Sequence, residues 1–168
     1  MTSRIVSLEG MPPEQRVVEY CVGAAQNRFV FPGIMQCITI TGWTIGGMVG
    51  THISPGASQE EIDDTFARLN TGGGKSIQHW YIVGNFDQHA QHTKVGWTSA
   101  SKIGKSARKA LNKSGTYLAR NTSPESSQFS WGINIYADHG TGGITFAYSK
   151  SGRGQQTETG LGTDFTRV

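Results

Sequence analysis

Fifteen Lys and Arg against twelve Asp and Glu leave a formal charge of +3 on 168 residues, a length that suits one domain with one core. Glycine stands at 23 positions, about double the roughly 7% of average proteins, and the charged fraction of 16% is well below the usual quarter. No apolar run approaches the roughly 18 residues of a membrane span, and four Trp, five Tyr and seven Phe supply core material that argues against disorder. The first thirty residues hold charges and no apolar block of a signal peptide. Two cysteines, Cys21 and Cys37, make neither a disulfide framework nor a C-x-x-C zinc motif. The expectation is a single domain over 1–168, made in a reducing cytoplasm, with export open only by a route that needs no cleaved leader.

Residues 1–28 read as an N-terminal extension in which Pro12-Pro13-Glu14 opens a short helix to Cys21, with Val17, Val18 and Cys21 as its apolar stripe. Pro32-Gly33 turns the chain. The β-branched run from Cys37 to Thr41 and the run from Met48 to Ile53 form a hairpin around the glycine-bearing segment 42–47. Ser58-x-x-Glu61 is a capping box, and Ile62, Phe66 and Leu69 give the helix that follows its core face. Gly72-Gly73-Gly74 stops it. That glycine run is not a phosphate loop, because Leu69 stands where the first glycine of such a loop belongs.

Ile77 to Val83 predicts a strand buried on both faces. Ile103, Ala107, Ala110 and Leu111 mark a second helix, and residues 116–119 a short strand. Phe129 to Ile135 and Ile144 to Tyr148 alternate as a second hairpin around the loop 138–143, and the tail from Ser151 is mobile unless it lies along a sheet. The class is α+β: a β-sandwich or layered, mostly antiparallel sheet with two packed helices.

One geometric feature bears on chemistry. With the first hairpin symmetric about Thr44-Ile45, Cys37 and His52 face one another, with Cβ atoms about 4.5–5.5 Å apart. A register shift of two residues keeps them on one face, whereas a shift of one separates them. A thiol beside an imidazole is the minimal set for acyl transfer, with a depressed thiol pKa and a thiolate nucleophile. A third group orients the ring, either a main-chain carbonyl in the 31–35 loop or a hydroxyl, and the N–H of Cys37 with that of a neighbour holds the oxyanion.

The segments Gly33-Ile-Met-Gln-Cys37-Ile-Thr-Ile and Gly46-Gly-Met-Val-Gly-Thr-His52-Ile-Ser-Pro55 resemble the active-site hairpin of the chemoreceptor glutamine deamidases. The catalytic domains of the cytotoxic necrotizing factors share that cysteine and histidine arrangement, and element order runs parallel over roughly residues 30–150. The resemblance implies a deamidase-like sandwich, free of cofactors, with Cys37 as nucleophile and His52 as base. Such an enzyme converts a protein glutamine to glutamate through a thioester, with transamidation as a side reaction, and suits a bacterial effector or toxin. Two departures matter. Met35-Gln36 replaces the usual glycine- or serine-containing turn, which makes the Gln36 and Cys37 amides the oxyanion donors. Phe31 stands where a threonine orients the histidine, so a main-chain carbonyl, with Phe31 the candidate, takes that role.

The remaining signals are weaker. His79, His89, His92 and His139 lack a carboxylate or cysteine at ligand spacing, so they read as solvated loop residues and no metal is expected. Seven Lys or Arg and no acid lie between Gln88 and Pro124. With only Trp97 and Tyr117 nearby they make no stacking platform for nucleic acid, and an acidic protein partner fits better. Trp43 and Asn134 are candidates for the substrate cleft. The rival reading is an inert protein-binding module on the same scaffold.

Overall fold

The computed structural model describes residues 3–7, 11–152 and 154–168. Among the described residues eleven strands and four α-helices follow in the order β1 (Ser3–Ser7), β2 (Val22–Ala25), β3 (Arg28–Ile34), β4 (Ile38–Thr44), β5 (Gly47–Ile53), α1 (Gln59–Thr71), β6 (His79–Gly84), α2 (Phe86–His92), α3 (Ala100–Ala110), β7 (Thr116–Asn121), α4 (Ser123–Ser126), β8 (Ile133–His139), β9 (Ile144–Lys150), β10 (Gln155–Gly160) and β11 (Thr166–Arg167). One sheet has the order β1-β10-β9-β8-β3 and the other β11-β7-β6-β4-β5-β2. Among the described strand pairs only β6 and β7 run parallel. The class is α+β, with two mostly antiparallel sheets and helices packed on one of them.

Alternation along the central strands divides the core in two, because successive side chains point to opposite faces. Ile38, Ile40, Trp80 and Ile82 face the helices and pack with Ile62, Phe66 and Leu69 of α1 and Ile103 and Ala107 of α3. On the other face Cys37, Met48, Tyr81 and Val83 meet Phe29, Phe31, Ile133, Ile135 and Phe146 of the opposing sheet. The result is three layers, sheet on sheet on helices, and Cys37 belongs to the space between the sheets. Helix α1 begins as its sequence predicts, with Ser58 Oγ accepting from Glu61 N and Glu61 Oε1 accepting from Ser58 N.

Several segments differ from the sequence reading. Residues 13–15 form a single 3₁₀ turn, and the chain then turns again over residues 18–21, where Cys21 N donates to Val18 O, before entering β2, rather than continuing as a helix. Pro13 suits the first position of a helical turn, whereas β-branched Val17 and Val18 disfavour a longer helix. Ser3–Ser7 and Val22–Ala25, read as parts of an N-terminal extension, are no appendage: as β1 and β2 they are edge strands, one in each sheet. Pro32-Gly33 makes a bulge inside β3, where the pairing with β8 slips between Phe31 and Ile34 and Gly33 takes φ +67°. The tail lies along both sheets as β10 and β11. Residues 86–92, read as loop, are helix α2 capped by Asn85. No helix among the described residues is long and apolar enough to cross a membrane.

Candidate functional site

The hairpin joins Ile38 to Ile53, Thr39 to His52 and Thr44 to Gly47, so the turn is Ile45-Gly46 and partner numbers sum two higher than symmetry about Thr44-Ile45 requires. The loop is the two residues Ile45-Gly46, and Gly47, at φ +157°, is already paired with Thr44 as the first residue of β5. His52 is therefore opposite Thr39, and Cys37, one residue before β4 begins, is its diagonal neighbour on the same face. The two-residue shift preserves the side and changes the contact.

That contact is not a thiol–imidazole hydrogen bond. Cys37 Sγ donates to Glu19 Oε1 at 3.2 Å. His52 Nδ1 donates to the Val17 carbonyl at 3.2 Å, which leaves the Nε2 lone pair free; Nε2 is buried with no hydrogen-bond partner. Glu19, Cys37 and His52 each place one side-chain donor atom within 4.8 Å of the other two. The orienting group is thus a main-chain carbonyl, but it belongs to Val17 and not to Phe31, whose side chain is core between the sheets.

Val17 and Glu19 reach the site because residues 16–21 cross the open end of the sandwich. Val17 N donates to Val30 O on one sheet and Tyr20 N to His52 O on the other. Tyr20 takes φ +62°, the one left-handed non-glycine residue among those described, a conformation that costs on the order of 1 kcal/mol and is kept where surroundings enforce it.

Electrostatics sets the resting protonation. Burial pushes the Cys37 thiol well above its ordinary range, the Glu19 carboxylate adds to the rise through hydrogen bond and charge, and the Gln36 main-chain N–H opposes both. Burial holds His52 below its usual value, against the Val17 carbonyl and Glu19. Both directions favour a neutral thiol beside a neutral imidazole, the reverse of the depressed thiol pKa that the spacing predicts. Burial in the apolar cluster between the sheets and the neighbouring Glu19 carboxylate account for it.

The loop carrying the sulfur is held from the other side. Asn85 Nδ2 donates to Met35 O at 2.8 Å, His89 Nδ1 donates to Gln36 O at 3.1 Å, and Asn85 N donates to Cys37 O at 3.3 Å. Three successive carbonyls are thereby fixed by the start of α2. Asn85 Oδ1 in turn accepts from Gln88 N and Ser123 Oγ. Gly84 makes this approach possible, since a Cβ there would lie 2.6 Å from both Cys37 O and Ile38 Cα. Behind the loop opens a cleft of about 550 Å³ lined by Met35, Gln36, Asn85, Gln88, Ser123 and Phe129. Cys37 does not line it, and its Sγ is engaged with Glu19 instead.

The other candidates fall elsewhere. Trp43 is at the far end of β4, about 20 Å along the strand at roughly 3.3 Å per residue. There its Nε1 donates to Gly140 O at 2.9 Å and its ring stacks on His139. Asn134 is fully buried; its Oδ1 accepts from Gly33 N and secures the β3 bulge, so it faces neither substrate nor water. His89 is no solvated loop residue: it is 1% exposed, lies in α2 and stacks on Trp97. Two members of the basic segment are used internally, Arg120 paired with Glu125 and Arg108 over the Tyr117 ring.

Glu19, Val17, Asn85 and His89 are the residues that sequence spacing does not disclose. Asn85 alone carried a signal, as an N-cap three residues before Gln88. Compared with known proteins, the chain matches no family model and no curated protein.

Proposed function

We propose that the chain is a cysteine amidohydrolase that deamidates a glutamine side chain of a protein, with Cys37 as nucleophile and His52 as base and acid. The reading rests on one observation: a buried imidazole spends its Nδ1–H on a main-chain carbonyl and leaves Nε2 unpartnered, with one of its ring nitrogens within 4.8 Å of the Cys37 sulfur. In the reaction Glu19 moves off the sulfur, and the thiol proton passes to His52 Nε2 as the Sγ–C bond forms at the amide carbon. The oxyanion collapses, the C–N bond breaks, and the imidazolium gives its proton to the departing ammonia. Water then adds to the thioester with His52 as base, yielding glutamate and the free thiol. The Gln36 and Cys37 amides are the oxyanion donors in this scheme, on a loop that Asn85 and His89 hold rigid. Exposed Val18, Tyr20 and Met35 near the site supply an apolar rim for a protein surface.

A bacterial effector or toxin is the setting this activity suits. Transamidation is the expected side reaction where an amine outcompetes water at the thioester. The inert binding module draws on a different observation, the protonated and covered thiol. Mass spectrometry of candidate proteins exposed to wild type and to Cys37→Ser separates the two. A gain of about one dalton per glutamine, present only with the wild type, supports the enzyme. Its absence from every proteome tried, with a thiol that alkylates at the same rate with and without His52, favours the module.

A further inference from the structure

We propose that Glu19, Cys37 and His52 form a binding site for one thiophilic divalent cation of the Zn²⁺ class, closed by a water in the fourth position. The proposal is independent of the deamidase reading. Three segments far apart in sequence bring one sulfur, one nitrogen and one carboxylate oxygen donor within 4.8 Å of one another. Tetrahedral zinc with bonds of about 2.0–2.3 Å separates its ligand atoms by about 3.4–3.6 Å. The Sγ and Oε1 atoms are already 3.2 Å apart, so shifts on the order of 1 Å complete the set.

The histidine is prepared for this role. His52 is 3% exposed and its Nε2 has no hydrogen-bond partner, while Nδ1–H on Val17 O fixes the tautomer and ring. A main-chain carbonyl behind a metal-bound imidazole is the recurrent outer support of such ligands. A buried acceptor left without a partner is unfavourable, and a cation at Nε2 satisfies it. The donor chemistry selects the ion. Calcium and magnesium require mostly oxygen, whereas a thiolate with imidazole and carboxylate suits zinc or cobalt. Glu19 is exposed, so the ion has an entry path and its last ligand can swing onto it. Binding replaces the thiol proton: Cys–SH and M²⁺ give Cys–S–M⁺ and one H⁺, with no change of oxidation state. The sulfur is then unavailable to an electrophile.

Cobalt provides the test, on chelator-treated full-length chain carrying Cys21→Ser to remove the exposed second thiol. The expected result is one Co²⁺ per chain, with the intense visible bands of a tetrahedral ion and a thiolate-to-cobalt charge-transfer band, all displaced by one equivalent of Zn²⁺. Zinc should also protect Cys37 from iodoacetamide. Cys37→Ser should abolish the charge-transfer band, and Glu19→Gln, at an exposed position that leaves the fold intact, should weaken binding about tenfold or more. A charge-transfer band absent from the parent, or surviving Cys37→Ser, overturns the site; so does cobalt affinity unchanged in Glu19→Gln. Because no readout involves glutamine, a chain that binds cobalt yet deamidates nothing loses only the enzyme reading, and the converse loses only the metal.

Discussion

Replacing Glu19 by Gln removes a negative charge 3.2 Å from the sulfur and keeps a side chain of nearly the same shape. In the wild type every thiolate that forms must do so against that charge. Glu19 is exposed, so the interaction is screened as in water, and Coulomb's law for two unit charges at that separation then gives about 1.3 kcal/mol. That is roughly one pK unit, and roughly a tenfold change in thiolate fraction wherever the thiol is mostly protonated. The assay is iodoacetamide alkylation of Cys37 across a pH series, in chelator and in a Cys21→Ser background. Glu19→Gln should react about tenfold faster than its parent near pH 8, with the rate profile displaced about one unit toward acid. Burial is the larger cause of the raised thiol, so even the variant should react more slowly than an ordinary free cysteine. An unchanged or slower rate would refute the assignment of Glu19 as the group that holds the thiol protonated.

Acid stability follows from the two buried histidines. His52 and His89 are both held below the ordinary 6.5 by burial, so as pH falls the unfolded chain takes up their protons first; the stabilisation is complete above about 6.5 and is lost toward the native values, at up to about 1.4 kcal/mol per pH unit for each. Urea midpoints between pH 7.5 and 5 should fall accordingly, and His89→Gln should flatten that dependence by about half. Asn85→Ala removes an N-cap and leaves the Met35 carbonyl without its donor, for an expected loss of about 2–3 kcal/mol in chemical denaturation. Gly84→Ala drives a Cβ into the Cys37 carbonyl and the Ile38 Cα; both are backbone, so β4 and β6 must part, and the loss should be about 2 kcal/mol or more. A melting temperature equal to wild type would show that these strands separate without cost.

How much of the molecule was legible in the sequence depended on whether the signal was local. The capping box at Ser58 and Glu61 and the helix it opens need only neighbours a few residues away, and they stand as the pattern predicts. The side of the sheet shared by Cys37 and His52 was equally legible, because alternation along a strand has period two and a two-residue slip in register leaves it unchanged. The slip itself depended on which of three consecutive residues the turn would use. The Glu14–Cys21 segment misled for a related reason: its apolar spacing fits a helix, but its chain must cross from one sheet to the other, and it does so as an irregular segment with a turn at residues 18–21.

Sequence alone determined the α+β class, the main hairpin, the helix faces and the one side of the sheet that Cys37 and His52 share, all consequences of periodicity and short-range backbone sterics. Tertiary structure alone decided what surrounds that pair. Glu19 lies 18 residues before the cysteine it accepts from, the Val17 carbonyl 35 residues before the histidine it orients, and His89 53 residues beyond the carbonyl it grips. No periodicity links positions so far apart. Their meeting follows from how two sheets stack and where the crossing chain is pinned, and it is this enclosure, rather than the residue types, that leaves the sulfur protonated and the imidazole nitrogen unpartnered.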